Sequence, residues 1–329
     1  MRPFDDLTDG GRHRRLRALA LDALNAYDLE VARLRFLGRH SNTPFDLRTI
    51  DDGRYIVRVG IGGPVGHPAT QVRSEVAWLE ALARDTSIVV PTPVRNRVGS
   101  PVTPVSASGV PDERNVVVFG WLDGRIAHRS VGPTAMRAIG AVAARLHDHA
   151  ASWTPPPGFA ALPYDRVFPY DESIVLFEGS HGGLMPPRRT AVFREAESRA
   201  LSVIRRLETL EPMRVIHGDL HRWNVKIRGG VGAPFDFEDL LWGWPVQDIA
   251  VSLYYQWSDP SFREAGRAFR SGYETVAPWP EREPGDVDTL IAARTLVVAN
   301  SVLLQPEWRH AAEEVFERGE RRIRDLLDM

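Results

Sequence analysis

Apolar residues recur at helical spacing from Arg12 to Ala26, where Leu16, Leu19, Ala20, Ala23 and Leu24 predict an opening helix. Strand-like runs follow at Val31 to Phe36, Phe45 to Ile50 and Tyr55 to Val59, and Asp51-Asp52-Gly53 supplies a hairpin turn between the last two. Gly60 to Pro68 reads as a glycine-rich loop and Ala69 to Arg84 as a helix. Short strands are expected at Ser87 to Val94 and Asn115 to Phe119. Strands, one main helix and further strands describe a small N-terminal lobe.

Gly120-Trp121-Leu122-Asp123-Gly124 breaks that pattern and predicts a hinge over residues 120–124, between an N-terminal lobe of residues 1–119 and a C-terminal lobe of residues 125–329. Val131 to His149 predicts a long helix, buried along Leu146 and its alanines. Thr154-Pro155-Pro156-Pro157-Gly158 opens an irregular segment that lasts to about Arg188, a length usually reserved for function or motion. Helices are expected at Ala191 to Leu210, Asp248 to Gln256, Ser261 to Tyr273, Asp286 to Leu304 and Glu307 to Leu327.

Between the helix ending near Leu210 and the one opening near Asp248, the chain reads VIHGDLHRWNVKIRGGVGAPFDFEDLLWGWPVQDI. His217, Asp219 and Asn224 fit the form H-x-D-x-x-x-x-N, and a short apolar strand ends in Asp236. This is the spacing of enzymes that move a phosphoryl group from ATP, with a base in the loop and a metal-binding aspartate on a later turn. Asp219 is the candidate catalytic base, and Asn224 and Asp236 are candidate magnesium ligands. Magnesium takes hard oxygens and keeps several waters, so one amide and one carboxylate suffice. His217 is expected to support the loop backbone, and Asp248, opening a helix, to brace it. Zinc at His217, Asp219 and His221 is an alternative that leaves Asn224 and Asp236 without a role. Glu238 and Asp239 are expected to include at least one solvated loop acid.

In the small lobe, Glu75 lies on the helix face of Val72, Leu79 and Leu82, where a carboxylate needs a partner. Arg58, inside an apolar strand, is the candidate, and the pair would hold a cation against ATP phosphates. A phosphate-covering turn is expected around Gly38 to Thr43, with Ser41 and Asn42 as its donors. Asn115 to Trp121 is the candidate adenine-binding strand. No Walker-type G-x-x-x-x-G-K-[ST] occurs, and the chain has a single lysine, Lys226.

A chain of 329 residues suits two lobes, and 43% hydrophobic with 26% charged residues is ordinary for a globular protein. A net charge of -2 provides no basic field for nucleic acid, and the absence of cysteine excludes disulfides and thiolate chemistry. No apolar run of about 18 residues is expected to cross a bilayer, and the N-terminus is a poor secretion signal. A cytoplasmic location is therefore expected, with the oligomeric state left open.

These residues resemble the aminoglycoside phosphotransferase superfamily, with choline kinase, type II homoserine kinases and bacterial stress response kinase A types among its members. The resemblance rests on His217-Gly218-Asp219-Leu220-His221 with Asn224, Phe235-Asp236-Phe237-Glu238-Asp239, Pro245-Val246-Gln247-Asp248, Arg58, and Arg73-Ser74-Glu75 with Trp78-Leu79, and covers roughly residues 30 to 305. It implies an α+β, bilobal protein-kinase-like fold with a small antiparallel-sheet N-lobe and a larger, mostly helical C-lobe. It also implies ATP and magnesium, and transfer to a hydroxyl of a small-molecule acceptor. Phe159, Tyr164, Asp165, Tyr170, Tyr254, Trp257 and Tyr273 are candidates to line the acceptor pocket. Arg58 stands where the family has lysine. A Ser/Thr protein kinase of the stress-response type and a non-catalytic nucleotide-binding pseudokinase are the alternatives.

Overall fold

A computed structural model describes residues 2–38, 42–63, 66–130, 132–257 and 261–328. The chain divides into two compact units, one of residues 1–123 with 154–160, the other of residues 124–153 with 161–329. In the first, helix α1 (Asp9–Leu24) precedes strands β1 (Val31–Phe36), β2 (Thr43–Thr49) and β3 (Arg54–Val59). Helix α2 (Ala69–Asp85) and strands β4 (Pro93–Val94), β5 (Thr103–Val105) and β6 (Arg114–Gly120) follow. The sheet is antiparallel in the order β1-β2-β3-β6-β4, with β5 also on β6. Strand alternation gives it two faces. Val57 and Val59 of β3 join Leu19, Ala20 and Ala23 of α1 in one core, and Arg58 between them meets Glu75 of α2.

The second unit contains strand β7 (Arg125–Ile126), helix α3 (Pro133–Ser152), strand β8 (Leu162–Pro163), helix α4 (Pro187–Leu210) and strands β9 (Arg214–Ile216), β10 (Val225–Arg228), β11 (Val231–Pro234) and β12 (Leu241–Gly243). Helices α5 (Pro245–Tyr254), α6 (Phe262–Tyr273), α7 (Asp286–Leu304) and α8 (Ala312–Leu327) complete it. Helices α3 and α6 cross backbone against backbone: a Cβ on Gly140 would stand 2.0 Å from the Phe269 carbonyl oxygen, and one on Gly272 1.9 Å from that of Arg137. Only hydrogen fits at both contacts. Phe193 of α4 stacks on Phe316 of α8 at 6.0 Å over a core of alanines and leucines from α7.

Most predicted elements form within a few residues of their expected ends, and the fold class is the α+β, kinase-like one anticipated. Several expectations are corrected. Ser87 to Val94 forms only the two-residue β4, because Pro91 and Pro93 remove donors from any longer ladder. Thr154–Ala160 groups with the first unit rather than the C-terminal one, where the Ala160 N–H donates to Ser74 Oγ at 2.7 Å. Helix α7 does have the length and composition to cross a membrane, with a mean hydropathy of 1.6. However, 67% of that window is buried inside the protein, where it packs against α4, α5 and α8.

Candidate active site

Strand β9 ends at Ile216, and the chain turns through His217-Gly218-Asp219. Gly218 has φ of 78°, and a Cβ there would lie 2.0 Å from the Asp239 carbonyl oxygen, so glycine is required at this turn. Asn224 Nδ2 donates to the Asp219 main-chain oxygen at 3.0 Å and to its Oδ2 at 3.1 Å. The Phe235 N–H donates to the Asn224 carbonyl at 2.9 Å, in continuation of the β10–β11 ladder. Asp236 is the next residue along the chain. Asp236 has φ of 67°, a left-handed conformation costly for a residue with a side chain.

Asp219 and Asp236 share an acidic neighbourhood. The Asp239 carboxyl is pushed well above its ordinary value, first by burial and then by the charges of Glu238, Asp219 and Asp236. Glu238 is buried and Asp239 half-buried, so neither is the solvated acid that was expected. Crowded hard oxygens suit a divalent cation. Among the described residues no three of His, Asp or Glu form a closed metal cage. An asparagine and an aspartate would leave the remaining positions to phosphate and water.

The zinc alternative fails on the histidines. His217 Nδ1 accepts from the Asp219 N–H at 3.4 Å and its Nε2 donates to the Phe235 carbonyl at 3.2 Å. His221 Nδ1 accepts from the Trp223 N–H at 3.3 Å, and its Nε2 donates to Asp219 Oδ2 at 3.1 Å. Every ring nitrogen is spent on the loop's own shape.

Asp248, in the first turn of α5, accepts the His217 N–H at 2.9 Å and the Gly218 N–H at 2.8 Å. Its Oδ2 also takes a hydrogen bond from His147 Nε2 of α3 at 3.1 Å, and His147 Nδ1 meets the Tyr273 hydroxyl at 3.0 Å. One fully buried carboxylate thus ties two backbone donors of the loop to three helices.

Arg294 of α7 was missed from the sequence. Its Nη2 donates to Asp219 Oδ1 at 3.0 Å and reaches the Tyr255 hydroxyl at 3.5 Å. Burial alone would raise the Asp219 carboxyl; His221 and Arg294 more than offset it and hold it below the usual carboxylate range. Tyr255, pushed up to about 12 by burial, keeps its proton. The available signal was a charged residue inside the apolar run Ala292-Ala293-Arg294-Thr295-Leu296, the same one that pointed to Glu75. Of the candidate acceptor residues, Tyr164 and Tyr170 pack together against Ile216 and Leu241, within reach of the Arg294 charge.

In the first unit, Arg58 Nη1 donates to Glu75 Oε1 at 2.8 Å, while Nη2 pairs with Oε2. Both side chains are buried. This two-pronged contact uses the planar fork that lysine lacks. Asn42 is buried at the entrance to β2, and Ser41 lies outside the described residues.

Fold and loop together define a kinase-like phosphotransferase that acts on hydroxyl groups. The chain belongs to the phosphotransferase enzyme family, whose family model matches residues 33–284. A Synechocystis protein without an assigned activity is 26% identical over 268 residues, 80% of this chain and 71% of that one. Among solved structures, a microcompartment-associated aminopropanol kinase superposes with a TM-score of 0.79 at 23% identity, covering 95% of this chain and 98% of the other. An amicoumacin kinase in complex with AMP-PNP, Ca2+ and Ami gives 0.72 at 16% identity, covering 95% and 96%. A spectinomycin phosphotransferase in complex with ADP and spectinomycin gives 0.63 at 9% identity, covering 95% and 98%.

Proposed function

We propose that this chain transfers the γ-phosphate of ATP, with magnesium, to a hydroxyl of a small molecule. The observation that carries this reading is the joint placement of Asp219, Asn224 and Asp236. The first two share a hydrogen bond, and the third is one residue past the backbone bond from Phe235 to Asn224. Neighbouring folds that act on aminopropanol, amicoumacin and spectinomycin support a small acceptor.

Asp219 orients the acceptor hydroxyl and takes its proton. A carboxyl held below the usual range is a weak base, which suits a loose transition state in which the proton leaves late. Asn224 and Asp236 would hold magnesium, which neutralises charge on the phosphates when bound. Arg58, fixed by Glu75, would position phosphate, and Asn42 would donate to it. His217 and Asp248 keep the loop in shape.

The test is ADP release by the purified protein across sugars, amino alcohols, hydroxy acids and aminoglycosides, beside autophosphorylation with labelled ATP. Transfer to a small acceptor that vanishes in Asp219→Asn supports the proposal. Labelling of protein alone would replace it with a protein kinase, and nucleotide binding without any transfer with a pseudokinase.

A further inference from the structure

Arg294 offers more than its contact with the base. Only 7% exposed, it uses Nη2 for both Asp219 and Tyr255, and its Nε–H is buried with no hydrogen-bond partner. A buried N–H left unpaired is costly, more so on a charged group. The carboxylate of Asp219 does not absorb the whole guanidinium, because it also accepts from His221 Nε2 and Asn224 Nδ2. Around Arg294 stand the phenols of Tyr164, Tyr170 and Tyr255. Tyr164 and Tyr170 pack on Ile216, the residue before the H-G-D turn. The Tyr164 backbone is clamped by Gln247 Nε2 donating to its carbonyl at 2.8 Å and by its own N–H donating to the Trp242 carbonyl at 2.7 Å.

Resting on the phosphotransferase reading above, we propose that the acceptor is a hydroxy acid, whose carboxylate is bound by Arg294 Nε and the Tyr164 and Tyr170 hydroxyls while its hydroxyl lies on Asp219. A guanidinium edge matches a carboxylate in shape and charge. An ammonium group has no lone pair to accept the Nε–H and would be repelled by the same cation. The other acids within reach of the Arg294 charge are Asp239 and Glu172. In the reaction the carboxylate is only a handle. The hydroxyl oxygen forms the new bond to the γ-phosphorus, the bridging oxygen leaves with its electron pair on ADP, and the hydroxyl proton passes to Asp219.

Three matched acceptors test this on the full-length enzyme: glycerate, glycerol and serinol, which differ in an acid, a neutral and an amine group. Glycerate should show kcat/KM roughly ten- to a hundredfold above glycerol, with serinol no better than glycerol. Arg294→Gln, which keeps a donor, should erase the glycerate advantage, and Tyr170→Phe should narrow it. Calorimetric titration with glycerate in the absence of nucleotide gives a second readout. Transfer that favours serinol, or treats glycerate and glycerol alike, overturns the carboxylate site and leaves the phosphotransferase reading intact. Glycerate binding that depends on Arg294, with no transfer to any acceptor, keeps the carboxylate site and removes the phosphotransferase reading. A titration showing no glycerate binding overturns the inference.

Discussion

Arg294 Nη2 and Asp219 Oδ1 stand 3.0 Å apart, joining helix α7 to the H-G-D turn. A pair withdrawn from water gains most when each charge has further hydrogen bonds. Asp219 has them from His221 and Asn224. Position and protonation of the base therefore depend on α7, far from the loop in sequence.

Arg294→Ala should destabilise the protein by about 2–4 kcal/mol, because the remaining carboxylate is deprived of its cation where water is scarce. Urea midpoints of the variant and the parent measure this. A midpoint within error of the parent would show that His221 and Asn224 alone satisfy Asp219.

Asp219→Asn removes the proton acceptor and keeps the volume. Transfer should fall by roughly a hundred- to ten-thousandfold, while nucleotide binding persists. A variant with parental turnover would take Asp219 out of the base role.

Asp236→Ala should act on the metal. The magnesium concentration needed for half-maximal nucleotide binding should rise at least roughly tenfold, as expected when one of few protein oxygens on magnesium is lost. Fluorescent-nucleotide titrations at several magnesium concentrations check this. An unchanged magnesium dependence would move the ligand role to Glu238 or Asp239.

The H-G-D turn and its partners were legible because spacing along a loop is conserved as distance in space. Asn224 can reach Asp219 only because five residues of loop return the chain to its own start. Glu75 and Arg58 were legible for another reason: a charge on an apolar face demands a counter-charge. Arg294, His147 and Asn300 are likewise polar groups buried on α7 and α3, yet their partners lie 75, 101 and up to 128 residues away. Periodicity shows that such a residue is buried and says nothing about whom it meets. Strands of two or three residues, such as β8 and β12, escaped because their pairing is decided by the loop they hold rather than by alternation.

Asp248→Ala should be among the most damaging single changes in the second unit. It removes the acceptor of the His217 and Gly218 N–H groups and of His147, all inside the protein. Leaving buried donors unmatched costs about 1–3 kcal/mol each, so a loss of roughly 3 kcal/mol or more is expected. Thermal melts report the loss of stability. A melting temperature equal to the parent's would mean that water can replace the carboxylate there.

His217 gives the fold a pH dependence of known sign. Burial lowers its pKa below the ordinary histidine value, although the charges of Asp248 and Asp219 oppose the shift. The unfolded chain therefore takes up a proton near pH 6.5 that the folded loop refuses, and binds more protons than the folded state below that point. Stability should be insensitive to this group above about pH 6.5 and should decline as pH falls through it, by at most about 1.4 kcal/mol per pH unit. Urea midpoints at about pH 7.5 and about pH 5.5 should fall further in the parent than in His217→Gln, which cannot titrate but can still donate to the Phe235 carbonyl. Equal declines in the two proteins would assign the acid sensitivity to other groups.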